Sequence, residues 1–370
     1  MKLAIILPSL AVGGTEKIRL TLARCLKHRG YDVHFILLLS HGELFTDADK
    51  EFSIYCLNAK TFRSSLFALY THLRANRYDV ILVGLWPLTF FVPIIIRLSS
   101  RNRRSGIIVS EHASLLREYG KSLRSKLILK CTTFVGYRIA DFVTSVSGSL
   151  RDELSQLANI SRERVFVLPN PLPDRPPFGG DARERFKGLW PGNPRLRIVN
   201  VGALKSQKNQ KLLLDAMRRL KFRDVSLLIV GDGPERLRLE KMLCDENLND
   251  CVRLLGWVNN SSEIIAAADL FVLSSNFEGY PNVLLEALVV GTPIISTDCD
   301  YGPREILADG KYGVLVPTNN LDCLCTSILN QKWKSYSRVD TNTMPHLLPK
   351  ASYIDKFESL LAKSIDKVNL

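Results

Sequence analysis

The sequence has no apolar run long enough to cross a bilayer. Its most apolar stretch, Trp86 to Ile96, is 11 residues with two prolines, and a spanning helix needs about 20. The opening Met1-Lys2-Leu3-Ala4-Ile5-Ile6-Leu7-Pro8 carries one charge and no small-residue cleavage site before Gly13-Gly14. It reads as a first β-strand, not as a signal peptide. Cysteine is sparse: eight in 370 residues, with no Cys-x-x-Cys and no His at metal spacing. That argues against a disulfide framework and for a reducing, cytoplasmic setting. No Gly-x-Gly-x-x-Gly follows the first strand, so a dinucleotide dehydrogenase is disfavoured. There is no nucleic-acid reading module, no low-complexity tract and no short repeat. Hydrophobic residues at 46% and charged residues at 24% exclude disorder as the main state.

Positive charge is in excess. Lys and Arg number 50 against 37 Asp and Glu, a net charge of +13. Residues 1–175 hold 25 basic and 14 acidic side chains, and the remainder 25 and 23. Between 97 and 138 alone lie ten basic residues, among them Arg101, Arg103, Arg104, Lys121, Arg124, Lys126 and Lys130, against two acids. Solubility explains such an excess, and so does an anionic partner: a nucleic acid, a phosphorylated ligand or a membrane surface.

Short apolar runs alternate with amphipathic helical patterns along both halves. Leu3–Leu7, Val33–Leu39, Val80–Val83, Ile107–Ser110, Phe142–Val146 and Val165–Leu168 read as buried parallel strands. After a Pro/Gly-rich stretch the pattern restarts at Leu196–Val201, Val225–Val230, Val252–Leu255, Leu270–Leu273, Pro293–Ser296 and Gly313–Val316. Strand–helix alternation of this kind predicts doubly wound α/β sheets. The expected division is a Rossmann-like domain over 1–172, a linker over 173–194 and a second Rossmann-like domain over 195–345. A tail helix over 351–370, with its pattern clearest in Tyr353–Ala362, is expected to pack back on the first domain. The linker follows from seven prolines and four glycines between 169 and 194, since proline lacks the N–H that helices and sheets use.

The densest chemistry lies in Phe277-Glu278-Gly279-Tyr280-Pro281-Asn282-Val283-Leu284-Leu285-Glu286-Ala287-Leu288. A strand ends, a loop follows and a helix opens. Gly279 allows close backbone approach, and Pro281 suits a first helical turn. The helix start offers N–H groups to an anion. Glu278 falls at the strand's C-terminal end, the ligand crevice of such sheets. Glu286 is flanked by apolar residues, so its carboxylate is expected to be buried and to need donors. On periodicity alone, a structural Glu paired with Arg or backbone is an equal reading.

This segment resembles the Glu-x7-Glu signature of family-4 glycosyltransferases, retaining nucleotide-sugar enzymes of the GT-B fold. Other stretches are similar to the same family in the same order: Gly13-Gly14-Thr15-Glu16, Ser110-Glu111-His112, Val146-Ser147, Leu168-Pro169-Asn170-Pro171, Gly202-Ala203-Leu204 with Gln207-Lys208-Asn209, Gly231-Asp232-Gly233-Pro234, and Gly256-Trp257. The resemblance covers roughly residues 1–330. It implies two Rossmann-like domains facing across a cleft. It assigns Glu286 to the ribose hydroxyls, Glu278 to the donor sugar, and backbone at Gly279, Tyr280, Pro281 and Asn282 to sugar and diphosphate. Leu255, Gly256 and Trp257 would hold the base edge, Lys208 the diphosphate beside Gly202, and Gly13-Gly14 the same diphosphate. His112 is implied in polar contact with the sugar, and Glu16 in support of the Gly loop or the acceptor side.

The family commonly has Gly-Arg-Leu where this chain has Gly202-Ala203-Leu204. That leaves a second diphosphate cation to Lys205 or Arg304. Asp298-Cys299-Asp300 spells the metal-gripping Asp-x-Asp of the other large glycosyltransferase fold, but it is placed after Glu286 and reads as loop residues. No metal and no other cofactor is expected. The resemblance implies transfer of a hexose or N-acetylhexosamine from a nucleotide sugar, UDP favoured, to a lipid-diphosphate-linked saccharide in surface-polysaccharide synthesis. The place would be the cytoplasmic face of the inner membrane, with the basic run of 101–130 on anionic lipid and no nucleic acid as partner. The alternatives are a nucleotide-sugar epimerase of the same fold, or a basic nucleic-acid- or membrane-binding protein without catalysis.

Overall fold

The computed structural model describes every residue except 12, 60, 177–180, 222, 337–340, 342–343 and 370. The chain forms two compact units. One is Met1–Pro171 with Leu348–Leu370, and the other is Leu172–Leu347.

Among the described residues the first unit has a seven-stranded parallel sheet. Its strands are β1 (Lys2–Leu7), β2 (Asp32–Leu37), β3 (Ser53–Cys56), β4 (Val80–Gly84), β5 (Gly106–Glu111), β6 (Phe142–Ser145) and β7 (Val165–Val167), in the order β3-β2-β1-β4-β5-β6-β7. The second unit has β8 (Leu196–Val201), β9 (Val225–Val230), β10 (Val252–Gly256), β11 (Leu270–Leu273), β12 (Ile294–Thr297) and β13 (Val314–Val316), in the order β10-β9-β8-β11-β12-β13. Leu3–Leu7 are wholly buried, as continuous apolar strands are when helices cover both faces of a parallel sheet. In each sheet the order reverses once, between β1 and β4 and between β8 and β11. Loops leaving the C-terminal ends of those neighbours run to opposite faces and open a crevice.

Edge strand β3 is absent from the sequence expectation. Its four residues alternate between exposed and half-buried, so no apolar run marks it. The segment expected as a linker, 173–194, falls within the second unit. Its residues 177–180 lie outside the described residues. Beyond them Asp181 caps the short helix Ala182–Phe186, and Trp190, only 1% exposed, donates its indole N–H to the Ile198 carbonyl at 2.8 Å. Proline kept this stretch out of long helices and sheets, but not out of the packing.

The tail returns to the first unit. Leu348 bridges to Pro171, and the helix Lys350–Asn369 sets Tyr353, Ile354, Phe357, Leu360 and Leu361 into the core that holds Leu3, Phe35 and Val80. Their spacing is one helical stripe. Arg29 pairs with Asp355 and Glu358 on the flank. Gly106, at the start of β5, meets Ser364 so closely that a Cβ there would collide with the serine side chain.

Candidate functional site

In the second unit two loops meet at the C-terminal ends of β8 and β11. The first, residues 202–209, leads into the helix Gln210–Leu220. The second, 274–281, leads into the helix Asn282–Val290. They are laced by backbone and side-chain bonds. Asn276 N–H donates to the Gln207 carbonyl at 2.8 Å, and Gln207 Nε2 to the Phe277 carbonyl at 3.0 Å. Ser274 Oγ donates to the Lys208 carbonyl at 2.8 Å. This lacing brings Lys208 Nζ to 2.6 Å from Glu278 Oε1. Glu278 is 5% exposed and also accepts from Ser275 Oγ at 2.5 Å. Beside the pair, burial first and then the Glu278 charge push the Cys299 thiol up to about 12.

Glycines set the distances here. Gly231 has φ +142°, and a Cβ on it would run into the Gly202 carbonyl. Gly302, at φ +94°, lets its backbone lie against Tyr280 and Pro281, and a side chain would strike Pro281 Cδ at 2.6 Å. Tyr280 is thereby buried, which raises its hydroxyl pKa. Pro281 stands just before the helix, as its cap residue, with no side-chain cap bond.

In the first unit Gly13 caps the helix Gly14–His28, and the Glu16 carboxylate curls back over it where a Cβ would stand. At the end of β5, His112 Nε2 is 2.7 Å from Arg19 Nη2 and 3.2 Å from Ser110 Oγ. The neighbouring Glu111 is sealed inside, accepting from Thr89 Oγ1 at 2.7 Å and from Tyr137 OH at 2.9 Å. Burial outweighs those bonds and pushes its carboxyl up to about 7 from 4.5. Below pH 4.5 both folded and unfolded chains hold this proton; between there and about 7 only the folded chain does. Stability contributed here therefore falls as pH rises through that window and levels off above it. Glu111→Gln is expected to abolish the slope, gaining up to about 3 kcal/mol over the parent at pH 8 relative to pH 5, read by urea unfolding.

Known proteins share this architecture. Residues 12–174 match the description Glycosyltransferase Family 4, and residues 181–338 match Glycosyl transferases group 1. Over 329 residues the chain is 29% identical to N-acetylgalactosamine-N,N'-diacetylbacillosaminyl-diphospho-undecaprenol 4-alpha-N-acetylgalactosaminyltransferase of Campylobacter jejuni, covering 86% of this chain and 87% of that one. It is 28% identical over 320 residues to the amylovoran biosynthesis glycosyltransferase AmsD of Erwinia amylovora, 86% of each. The crystal structure of Anabaena HepE in complex with UDP and glucose superposes with a TM-score of 0.83 at 18% identity, over 98% of this chain and 99% of that one. The chain belongs to the family-4 glycosyltransferases. Its two parallel-sheet units are those of the GT-B fold.

In this glycosyltransferase the structure joins Lys208 to Glu278, a pairing that the sequence reading did not make. Glu286 is a correction. It is half-buried, not sealed, and accepts from Ser261 Oγ at 3.2 Å. Leu284, Leu285, Ala287 and Leu288 take the buried positions of that helix instead. Trp257 is 46% exposed, and Gly256 turns the end of β10 at φ +88°. Lys205 is exposed, whereas Arg304 is bound to Asp298 and Asp309. Asp298, half of the Asp-x-Asp, is thus an ion-pair partner. Sequence reasoning missed Arg19. Its signal was a basic residue on the buried face of an amphipathic helix.

The basic run of this enzyme lies on both sides of β5 in the chain. Arg101, Arg103 and Arg104 are exposed or turn residues just before β5 begins, while Lys121 and Arg124 follow β5's other end. The helix Leu123–Ile139 connects the two ends, carrying Lys126 and Lys130. It buries Leu129, Thr133, Gly136 and Tyr137 and exposes a second apolar set: Leu123 at 87%, Leu127 at 62%, with Ile128 and Phe134. Among the described residues no helix is long and apolar enough to cross a membrane.

Proposed function

We propose that this glycosyltransferase moves a hexose or N-acetylhexosamine from UDP to a lipid-diphosphate-linked saccharide, with retention, at an anionic membrane surface. The observation that carries the reading is the Lys208–Glu278 pair at the β8/β11 switch point. A cation and a carboxylate held together there suit a ligand that brings both a diphosphate and sugar hydroxyls. The Campylobacter relative is named for a diphospho-undecaprenol acceptor, and HepE was solved with UDP. Both support the choice of substrates.

As the glycosidic bond breaks, charge builds on the leaving phosphate, and Lys208 turns from Glu278 toward it. Lys205 lends a second charge where Ala203 stands. Glu278 accepts from sugar hydroxyls and Glu286 from the ribose diol. The departing phosphate oxygen takes the acceptor's proton on the same face, so no protein nucleophile is needed, and no metal or other cofactor takes part. Incubation with UDP-sugars and a polyprenyl-diphosphate saccharide tests this, with the product anomer read by NMR in the presence of EDTA. An inverted product, or activity lost to EDTA and restored by Mn²⁺, overturns the mechanism. An epimer formed without acceptor points to the epimerase.

The Leu123–Ile139 helix supplies the membrane face: exposed Leu123 and Leu127 beside Arg124, Lys126 and Lys130. Apolar insertion and attraction to anionic headgroups add there. Leu123→Ser with Leu127→Ser is expected to weaken co-sedimentation with phosphatidylglycerol vesicles about tenfold or more. Binding unchanged by those substitutions removes the helix from the membrane.

A further inference from the structure

Arg19 is 2% exposed, on a helix face shared with the buried Leu22, Ala23 and Leu26. A guanidinium in such a place is strongly disfavoured unless paired. Among the described residues it forms no ion pair, and its Nε has no hydrogen-bond partner. Its charge acts at longer range on Tyr353 of the tail helix, Glu111 at the end of β5 and Glu16 on its own helix. The direct contact is Nη2 to His112 Nε2 at 2.7 Å.

A guanidinium has five donors and no acceptor. His112 Nε2 must therefore accept, which places the ring proton on Nδ1. That bond takes the single lone pair of Nε2, so Ser110 Oγ, 3.2 Å from the same nitrogen, can only share it as a weaker second donor. A proton on Nε2 would point straight at a positive charge. The Nδ1 atom is out of solvent and has no partner, so the ring is left with one unmet donor. Glu111 does not compensate it, because its carboxyl is engaged by Thr89 and Tyr137.

We propose that Arg19 is a positioning residue that locks His112 as the neutral, Nδ1-protonated tautomer. That His112 serves transfer at all rests on the transferase reading above; the tautomer lock does not. Arg19 acts only through His112 and meets no substrate atom. His112 is also kept from gaining a second proton between pH 5 and 8, where an ordinary histidine titrates, chiefly by its burial. Burial and then the Arg19 charge both lower its affinity for that proton.

The test uses the full chain labelled with ¹⁵N-histidine. Long-range ¹H–¹⁵N spectra from pH 5 to 8.5 report tautomer and charge of each of the six histidines. His112→Gln identifies the signal and separates it from His72, which burial also holds neutral, at about 4. In the native chain His112 is expected to show a protonated Nδ1, a bare Nε2 and no titration. In Arg19→Met burial still holds the ring neutral, so His112 is expected to show a proton on Nε2, now free to face Ser110 Oγ, and kcat/KM to drop at least tenfold at every pH. Arg19→Lys, also donor-only, is expected to restore the Nδ1-protonated tautomer and most of the rate. A native His112 protonated on Nε2, or an Arg19→Met spectrum identical to the native one, overturns the lock. If Arg19→Met fails to fold, the native spectrum and Arg19→Lys still decide. If the spectra fit but no UDP-sugar is consumed, the lock stands and the transferase substrates fall.

Discussion

Lys208→Met is expected to lower kcat by about 10²–10³ with a smaller change in KM, the loss seen when one donor to a developing oxyanion is removed. The reason lies in timing. In the free enzyme the Lys208 ammonium is neutralised by Glu278 at 2.6 Å. Its attraction becomes most useful when the bond to the leaving diphosphate stretches. Uniform loss of binding would raise KM with kcat unchanged, and that result counts against the role.

Glu278→Gln separates the two partners further. The amide still accepts from Ser275, but Lys208 no longer has a competing carboxylate. UDP is therefore expected to bind more tightly to this variant and to raise its Tm more than that of the parent, while transfer still fails. Each single substitution leaves one buried charge unpaired, a loss of about 3–5 kcal/mol in such sites. The double variant Lys208→Met with Glu278→Gln removes both charges and is expected to recover most of that stability and none of the activity. Calorimetry of the four chains, with and without UDP, reads the cycle. A double variant no more stable than the singles would mean that the pair is not coupled.

The strands were legible because parallel sheets covered on both faces demand continuous apolar runs, and Leu3–Leu7 and Leu270–Leu273 supply them. The loops at β8 and β11 were legible as motifs, but not as contacts. Lys208 and Glu278 are far apart in sequence, and only the β8–β11 adjacency makes them partners. Glu286 shows the limit of pattern alone. Its neighbours are all apolar, yet its own position turns toward Ser261, just before the helix Ser262–Ala267. Arg19 was missed for the opposite reason: basic residues on helices are usually solvated, and its burial is decided by β5 and the tail helix, which sequence distance hides. Residues 181–194 were misjudged because proline content measures what a backbone cannot form, not whether Trp190 finds a core.

Ending the chain at Leu347 is expected to unfold the first unit. The tail helix contributes Tyr353, Ile354, Phe357, Leu360 and Leu361, all almost fully buried. Each such side chain stabilises by about 1.5–3 kcal/mol when removed from water, so together they rival the ~5–15 kcal/mol that holds a typical domain. Their loss would also expose the core around Leu3, Phe35 and Val80 and leave Arg29 without Asp355 and Glu358. Phe357→Ala alone is expected to cost about 3–5 kcal/mol. Gly106→Ala attacks the same docking from the other side, since its new methyl must displace Ser364; Ser364→Gly in the same chain is expected to relieve it. Hydrogen exchange locates the damage: protection lost across β1, β4 and β5, with β8, β9 and β11 retained. A truncated chain that kept β1 and β4 protected would show that the tail helix only decorates a core already complete without it.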